Sequence, residues 1–231
     1  MAPRATVIVV VGLLAAVPAT GSAASLQLRI GGFMPRADSL LFRDLTELYT
    51  VDKDDFHGVT GGAEFTFEPS DHVEFGLHLD GYSRTVDTSY RNYTRPSGNE
   101  IFQSLRLTVI PLGATLRLLP TDRYATLQPY VGVGPDIFFY KYEEFGDFID
   151  FGSDDLDISS DHFRSENAAP GFHVTGGLRV RLGHDFSVLG EARYQWAKDE
   201  MGDDFRQQPG QPPLEIDMSG LSVVVGLSIR F

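Results

Sequence analysis

Charged side chains recur in this chain at every second position of segments whose other positions are apolar. Arg29, Glu64, Glu74, His78, Asp80, Arg106, Asp136, Arg179, Arg181, Glu191, Arg193 and Arg230 all occupy such a polar phase. Both signs are represented. If these side chains share an enclosed interior they must neutralise one another, because a lone charge at low dielectric is costly. The alternative chemistry for the same set is a narrow, gated polar pore. One subset has the residue types of an activated nucleophile: His173 and Thr175 share a phase, and Glu191 falls on the next segment. A base, a hydroxyl and a carboxylate can generate a nucleophile. Threonine replaces the usual serine, however, and all three fit an ion-pairing interior equally well. Neither a catalytic site, a metal site nor a cofactor is expected.

The elements that would carry these residues are strands. Alternation of apolar and polar residues is pervasive, and helical periodicity is nearly absent. Eight segments show it: 25–35, 57–68, 73–85, 101–120, 127–142, 171–182, 186–198 and 220–231. In the fourth, Leu105, Leu107 and Val109 are apolar at odd positions, whereas Leu112, Leu116 and Leu118 are apolar at even ones. A one-residue bulge at Ile110–Pro111 is the expected cause, since bulges tolerate proline. Connections alternate in length. "PSDH", "TDRYAT" and "GHD" are hairpin-sized, whereas 36–56, 86–100, 143–170 and 199–217 are long and polar. All long loops therefore lie at one end. Before the first strand, Arg4 and the apolar run Thr6–Val17 precede the small residues of "PATGSAAS". That is the pattern of a secretory signal peptide over 1–24, with the strands forming one domain over 25–231. No cysteine is present, so disulfides and a lipid anchor on cysteine are excluded.

Alternation alone does not say which face is inside. A soluble lipocalin-like barrel points its apolar face inward to hold an apolar ligand; a membrane barrel points it at lipid. Even strand number, loops of unequal length at the two ends and the signal peptide favour the membrane. So do aromatic residues near strand ends (Tyr130, Phe138, Phe139, Tyr140, Tyr142, Tyr194, Trp196), where an interfacial girdle would lie. Together with "PYVGVGPDIFF", "GGLRVRL" and the terminal "GLSIRF", this plan resembles the eight-stranded OmpA/OmpX/OmpW-type outer-membrane barrels. The resemblance implies a closed antiparallel up-and-down barrel in the outer membrane of a Gram-negative-type bacterium, monomeric and non-enzymatic. It also implies that Val225, Leu227, Ile229 and Phe231 are read by the barrel-assembly machinery. A peptidoglycan-binding domain of the OmpA kind, and with it a wall-anchoring role, is not expected. OmpW-type relatives pass small apolar molecules through an apolar lumen, and the charged phase here departs from that pattern.

The third long connection carries a second kind of chemistry. Glu143, Glu144, Asp147, Asp150, Asp154, Asp155, Asp157 and Asp161 follow one another between Lys141 and Arg164. Asp155, Asp157, Ser159 and Glu166 even have calcium-loop spacing, but Ser160 stands where the sharp turn needs glycine. A solvated loop is one reading. A diffuse surface for divalent cations, bridging to lipopolysaccharide, is another. Phe145, Phe148, Ile149, Phe151 and Leu156 add a third, a short amphipathic lid at the membrane surface. Acidic excess, a formal net charge of −13, argues against binding nucleic acid through a basic surface.

Overall fold

The computed structural model describes residues 23–122, 124–150, 157–202, 205 and 214–231. The signal-peptide run up to residue 22, and Phe151, Asp154, Asp155 and Leu156 of the acidic connection, lie outside the described residues. In chain order the elements are β1 (Ala23–Pro35), α1 (Leu40–Leu48), a 3-10 turn (Lys53–Phe56), β2 (Gly58–Ser70), β3 (Val73–Thr94), β4 (Glu100–Leu118), β5 (Leu127–Asp150), β6 (Asp157–Arg181), β7 (Phe186–Glu200), β8 (Glu215–Asp217) and β9 (Gly220–Arg230).

Strands β1 to β7 pair in succession, all antiparallel, and β9 pairs with both β7 and β1. Leu28 faces Leu227, and the Phe231 N–H donates to the Ala24 carbonyl at 3.0 Å. The ring of hydrogen bonds is thereby closed and the barrel has no free edge. Short β8 lies outboard, pairing with the far end of β7 through Lys198↔Asp217. Every barrel strand sends alternate large apolar side chains outward. Leu28, Ile30, Val225 and Leu227 are 55, 60, 63 and 56% exposed. Such a continuous apolar belt needs lipid, not water, around it. A soluble barrel with an apolar lining is the opposite arrangement.

Three expectations need correcting. The first is the bulge. The β4–β5 register runs unbroken through Val109↔Tyr140, Pro111↔Phe138 and Gly113↔Asp136. On the other side, the β3–β4 ladder drops Asp80/Pro111 and Gly81/Ile110, where proline has no N–H to give, and resumes in the same register at Tyr82↔Val109. Odd residues of β4 point inward from end to end, so Leu105, Leu107 and Val109 are interior side chains, each buried. What changes along β4 is the polarity of the interior, not the phase of the strand.

The second correction concerns the long connections. Residues 86–100 and 143–170 are mainly strand, with β5 and β6 paired as far as Asp150↔Asp157. The 36–56 connection contains α1 and the 3-10 turn, which fold over the mouth and bury Leu41, Phe42, Leu45 and Phe56. Phe42 meets Phe56 edge-on at 5.2 Å, and Tyr49 meets Tyr90 at 4.9 Å. These residues join Leu105, Leu107 and Val109 in one apolar core that fills the loop end of the barrel. The third is the girdle. Tyr130, Phe138, Tyr140 and Tyr142 are buried inside. Phe139, Tyr194 and Trp196 take the outward phase, where Trp196 stacks on Phe172 at 4.7 Å.

Because Val225 sits midway along the outward face of β9, Val225→Arg is expected to destabilise the inserted barrel by about 2–4 kcal/mol. Urea unfolding in lipid vesicles measures this; an unchanged midpoint would contradict the outward assignment.

Candidate functional site: the charged lumen and the barrel mouth

Below the apolar core, the inward phase of all eight barrel strands turns polar. The reason is local: in the turn-end half, "LQLR", "AEFTFE", "VEFGLHLD" and "GEARYQ" alternate outward residues with charged, polar or small inward ones. Arg117 of β4 sits at the centre and is fully buried. Its Nη2 donates to Glu64 Oε2 at 2.6 Å and to Glu191 Oε2 at 2.9 Å, and its Nη1 to Glu74 Oε1 at 2.8 Å. The guanidinium lies 5.0 Å from the Tyr130 ring, whose hydroxyl donates to Glu191 at 3.0 Å. Sequence reasoning passed over Arg117, although its phase between Leu116 and Leu118 marked it as inward.

Other arginines extend the network. Arg29 reaches Glu64 at 2.7 Å, Asp80 at 2.8 Å and Glu191 at 3.2 Å. Arg193 binds Asp80 at 2.9 Å and Glu191 at 3.1 Å. Arg179 binds Glu74 at 2.7 Å and Glu68 at 3.5 Å, and Arg230 binds Glu68 at 2.9 Å. Arg29, Arg117, Arg179, Arg193 and Arg230 thus face Glu64, Glu68, Glu74, Asp80 and Glu191, and the charges balance. Two predicted members are elsewhere. Arg181 lies near the turn end, its guanidinium 5.8 Å from the Tyr124 ring. Arg106 is outside the lumen: its side chain is 44% exposed and faces Glu143 at 3.8 Å on the outer wall. With no bulge in β4, the even positions stay outward, and Leu105 and Leu107 take the interior.

A second polar group lies in the wall between β3 and β6. Asp136 Oδ2 is 2.7 Å from His173 Nδ1, and Asp136 Oδ1 is 3.1 Å from His78 Nε2. The far ring nitrogens, His173 Nε2 and His78 Nδ1, lie 3.1 and 3.4 Å from Thr115 Oγ1. Gly113 makes this possible: a Cβ there would stand 1.8 Å from Asp136 Oδ1. The His173–Thr175–Glu191 set does not assemble. Thr175 donates to the Ala192 carbonyl at 3.2 Å, and Glu191 is held by arginines.

Above the charges, a cavity of about 20 Å³ between Arg29, Asp80, Phe33 and Tyr82 has room for a single water. At the mouth, a groove of about 260 Å³ runs between Leu45 of α1 and Phe148 and Phe163 of the extended hairpin. Glu144 is buried at its base and accepts a hydrogen bond from Tyr142 at 2.8 Å. The exposed apolar residues on the outward phase of β5 end at Phe139 and the charged Lys141 and Glu143 follow, so Glu144 stands beyond the membrane-spanning part. Burial away from water pushes its carboxyl up from the ordinary 4.5 to about 7. Neighbouring acids of the same run are engaged: Glu143 with Lys141 at 2.7 Å, Asp147 with Arg95 and Ser160.

A family model described as "Outer membrane protein beta-barrel domain" matches residues 6–231. A major outer membrane protein from Thermus thermophilus has a similar structure, with a TM-score of 0.53 and 12% identity, over 92% of this chain and 100% of that one. Neisserial surface protein A aligns over 92% of this chain and 100% of its own, with a TM-score of 0.49 and 14% identity. A search of curated proteins found no match in sequence.

The Glu144 geometry carries a pH dependence. The folded protein keeps a proton that the unfolded chain releases near pH 4.5, so stability is full below that pH and falls as pH rises to about 7. Glu144→Gln is expected to remove the slope and leave the variant more stable at alkaline pH, by up to about 3 kcal/mol. Denaturation in vesicles at acidic and alkaline pH compares the two proteins.

Proposed function

The chain belongs to the outer membrane protein β-barrel domain family, and from that membership we propose that it is a non-enzymatic, monomeric envelope protein whose lumen is plugged and whose acidic loop end engages the cell surface. The family places the protein in the outer membrane, embedded in its lipid. The observation that carries the plugged lumen is the Arg117 centre, where one guanidinium joins carboxylates from β2, β3 and β7 with no solvent exposure. An eight-stranded barrel is only as wide as its side chains can fill. Five paired arginines crowd the lumen at this width, and the apolar core above them supports a second seal. The absence of catalysis is supported by the separate engagement of His173, Thr175 and Glu191.

At the loop end, the acidic surface suits divalent cations and, through them, the phosphate groups of lipopolysaccharide. Oxygen donors are abundant there, and Mg²⁺ or Ca²⁺ takes oxygen ligands. At the other end, Val225, Leu227, Ile229 and Phe231 present an alternate apolar ridge on the outward face of β9. Recognition by the barrel-assembly machinery is assigned to that ridge.

Two measurements test the proposal. In planar bilayers the wild-type protein is expected to show no steady conductance, and Arg117→Ala combined with Leu107→Ala, which weakens both the charged plug and the apolar core, to open a measurable one. Steady, charge-selective current through the wild type would establish a pore instead. In cells, Phe231→Ser is expected to lower the heat-modifiable, membrane-inserted fraction several-fold. Normal insertion would remove the ridge from the assembly pathway.

A further inference from the structure

We propose that His78, Asp136 and His173 form a site for one transition-metal dication of the Zn²⁺ class, buried in the barrel wall and oriented by Thr115. The donor atoms converge: all three side chains offer a ligand atom within 4.8 Å of the others. Ligands on a tetrahedral Zn²⁺ with bonds of ~2.0–2.1 Å stand about 3.3 Å apart. The His78 Nε2–Asp136 Oδ1 separation of 3.1 Å is near that spacing, whereas His173 Nδ1 and Asp136 Oδ2 hydrogen bond at 2.7 Å and would move apart by about half an ångström to share an ion.

Three further observations point to a cation. First, His78 Nε2 and Asp136 Oδ1 are buried and have no hydrogen-bond partner, although they face each other. Their alignment does not make a hydrogen bond, and buried polar atoms left unsatisfied call for a partner. A metal ion accepts electron pairs from both. Second, the charges elsewhere in the lumen are matched, arginine to carboxylate, whereas the ion-pair partners of Asp136 among the described residues are the two histidines. Its buried charge has no permanent counter-ion, and a dication supplies one. Third, the ring nitrogens turned away from Asp136 both meet Thr115 Oγ1. Metal-bound imidazoles characteristically donate their other N–H to such an acceptor, which fixes the tautomer and the ring plane. Two imidazoles and a carboxylate select Zn²⁺, Co²⁺ or Ni²⁺ over Ca²⁺ and Mg²⁺, which separates this site from the acidic loops. The four residues come from β3, β4, β5 and β6, so the ion would load as the wall forms and then hold those strands together.

The test uses Co²⁺ alone as probe. Wild-type protein is refolded into detergent with Co²⁺, desalted, and checked for folding by its heat-modifiable gel shift. One equivalent of cobalt with visible d–d absorption is expected. His78→Gln and His173→Gln should each lower the affinity at least about tenfold, while the exposed turn substitution Asp185→Asn leaves it unchanged. Folded wild type that takes up no cobalt overturns the proposal, and leaves the cluster as a hydrogen-bonded group of side chains. So does binding that survives loss of both histidines. If the variants fail to fold, X-ray absorption of the cobalt-loaded wild type decides: a shell with two imidazole nitrogens supports the site, and an oxygen-only shell refutes it.

Discussion

Narrowness governs this molecule. Eight strands enclose a space that side chains alone can fill, so any charge on the inward phase must be neutralised by a side chain from another strand. Arg117 meets that requirement for Glu64, Glu74 and Glu191 at once. The positions around it follow from the same limit. Tyr130 caps the guanidinium, and Gly113 is glycine because the Asp136 carboxylate occupies the space its Cβ would need.

The interior has two storeys. The turn-end half is an ion-pair lattice; the loop-end half is a dry core built from β3 to β6 and roofed by α1. Each solves a different problem. The lattice lets the wall alternate between lipid and charge while each of its arginines faces carboxylates of other strands, and the core packs beneath the long hairpins. Those hairpins are uneven: β5 and β6 have 24 and 25 residues, β1 and β9 only 13 and 11. Glu144 sits where the tall side meets the roof, a carboxyl buried among aromatic and aliphatic side chains.

The eight barrel strands and their order were legible in the sequence, because period two and turn residues are local properties. Three features were not. The apolar run Leu105–Val109 was indistinguishable from a lipid-facing stretch, since one dimension cannot tell lipid from a dry interior. A bulge was therefore expected where the interior changes character, and Arg106 was assigned to the wrong side. The nine-residue α1 is too short for its periodicity to stand out. The acidic run looked like an unstructured loop because its inward partners, Tyr142 and Ile149, are sparse among the acids. As for the lumen, its charged membership was readable residue by residue, but its pairing was not. The convergence of His78, Thr115, Asp136 and His173 depends on register across four strands, which leaves no trace in the order of the residues.

The ion-pair lattice also has a consequence in time. Arg29 and Glu191 are 162 residues apart, as are Arg230 and Glu68. A chain delivered from its N-terminus can pair Arg29 with Glu64 and Asp80 within its first three strands. Glu191, Arg193 and Arg230 arrive only with the last strands, and with them the remaining partners of Arg117 and Glu68. The lattice is therefore complete only when the ring closes, and contacts so distant in sequence slow folding.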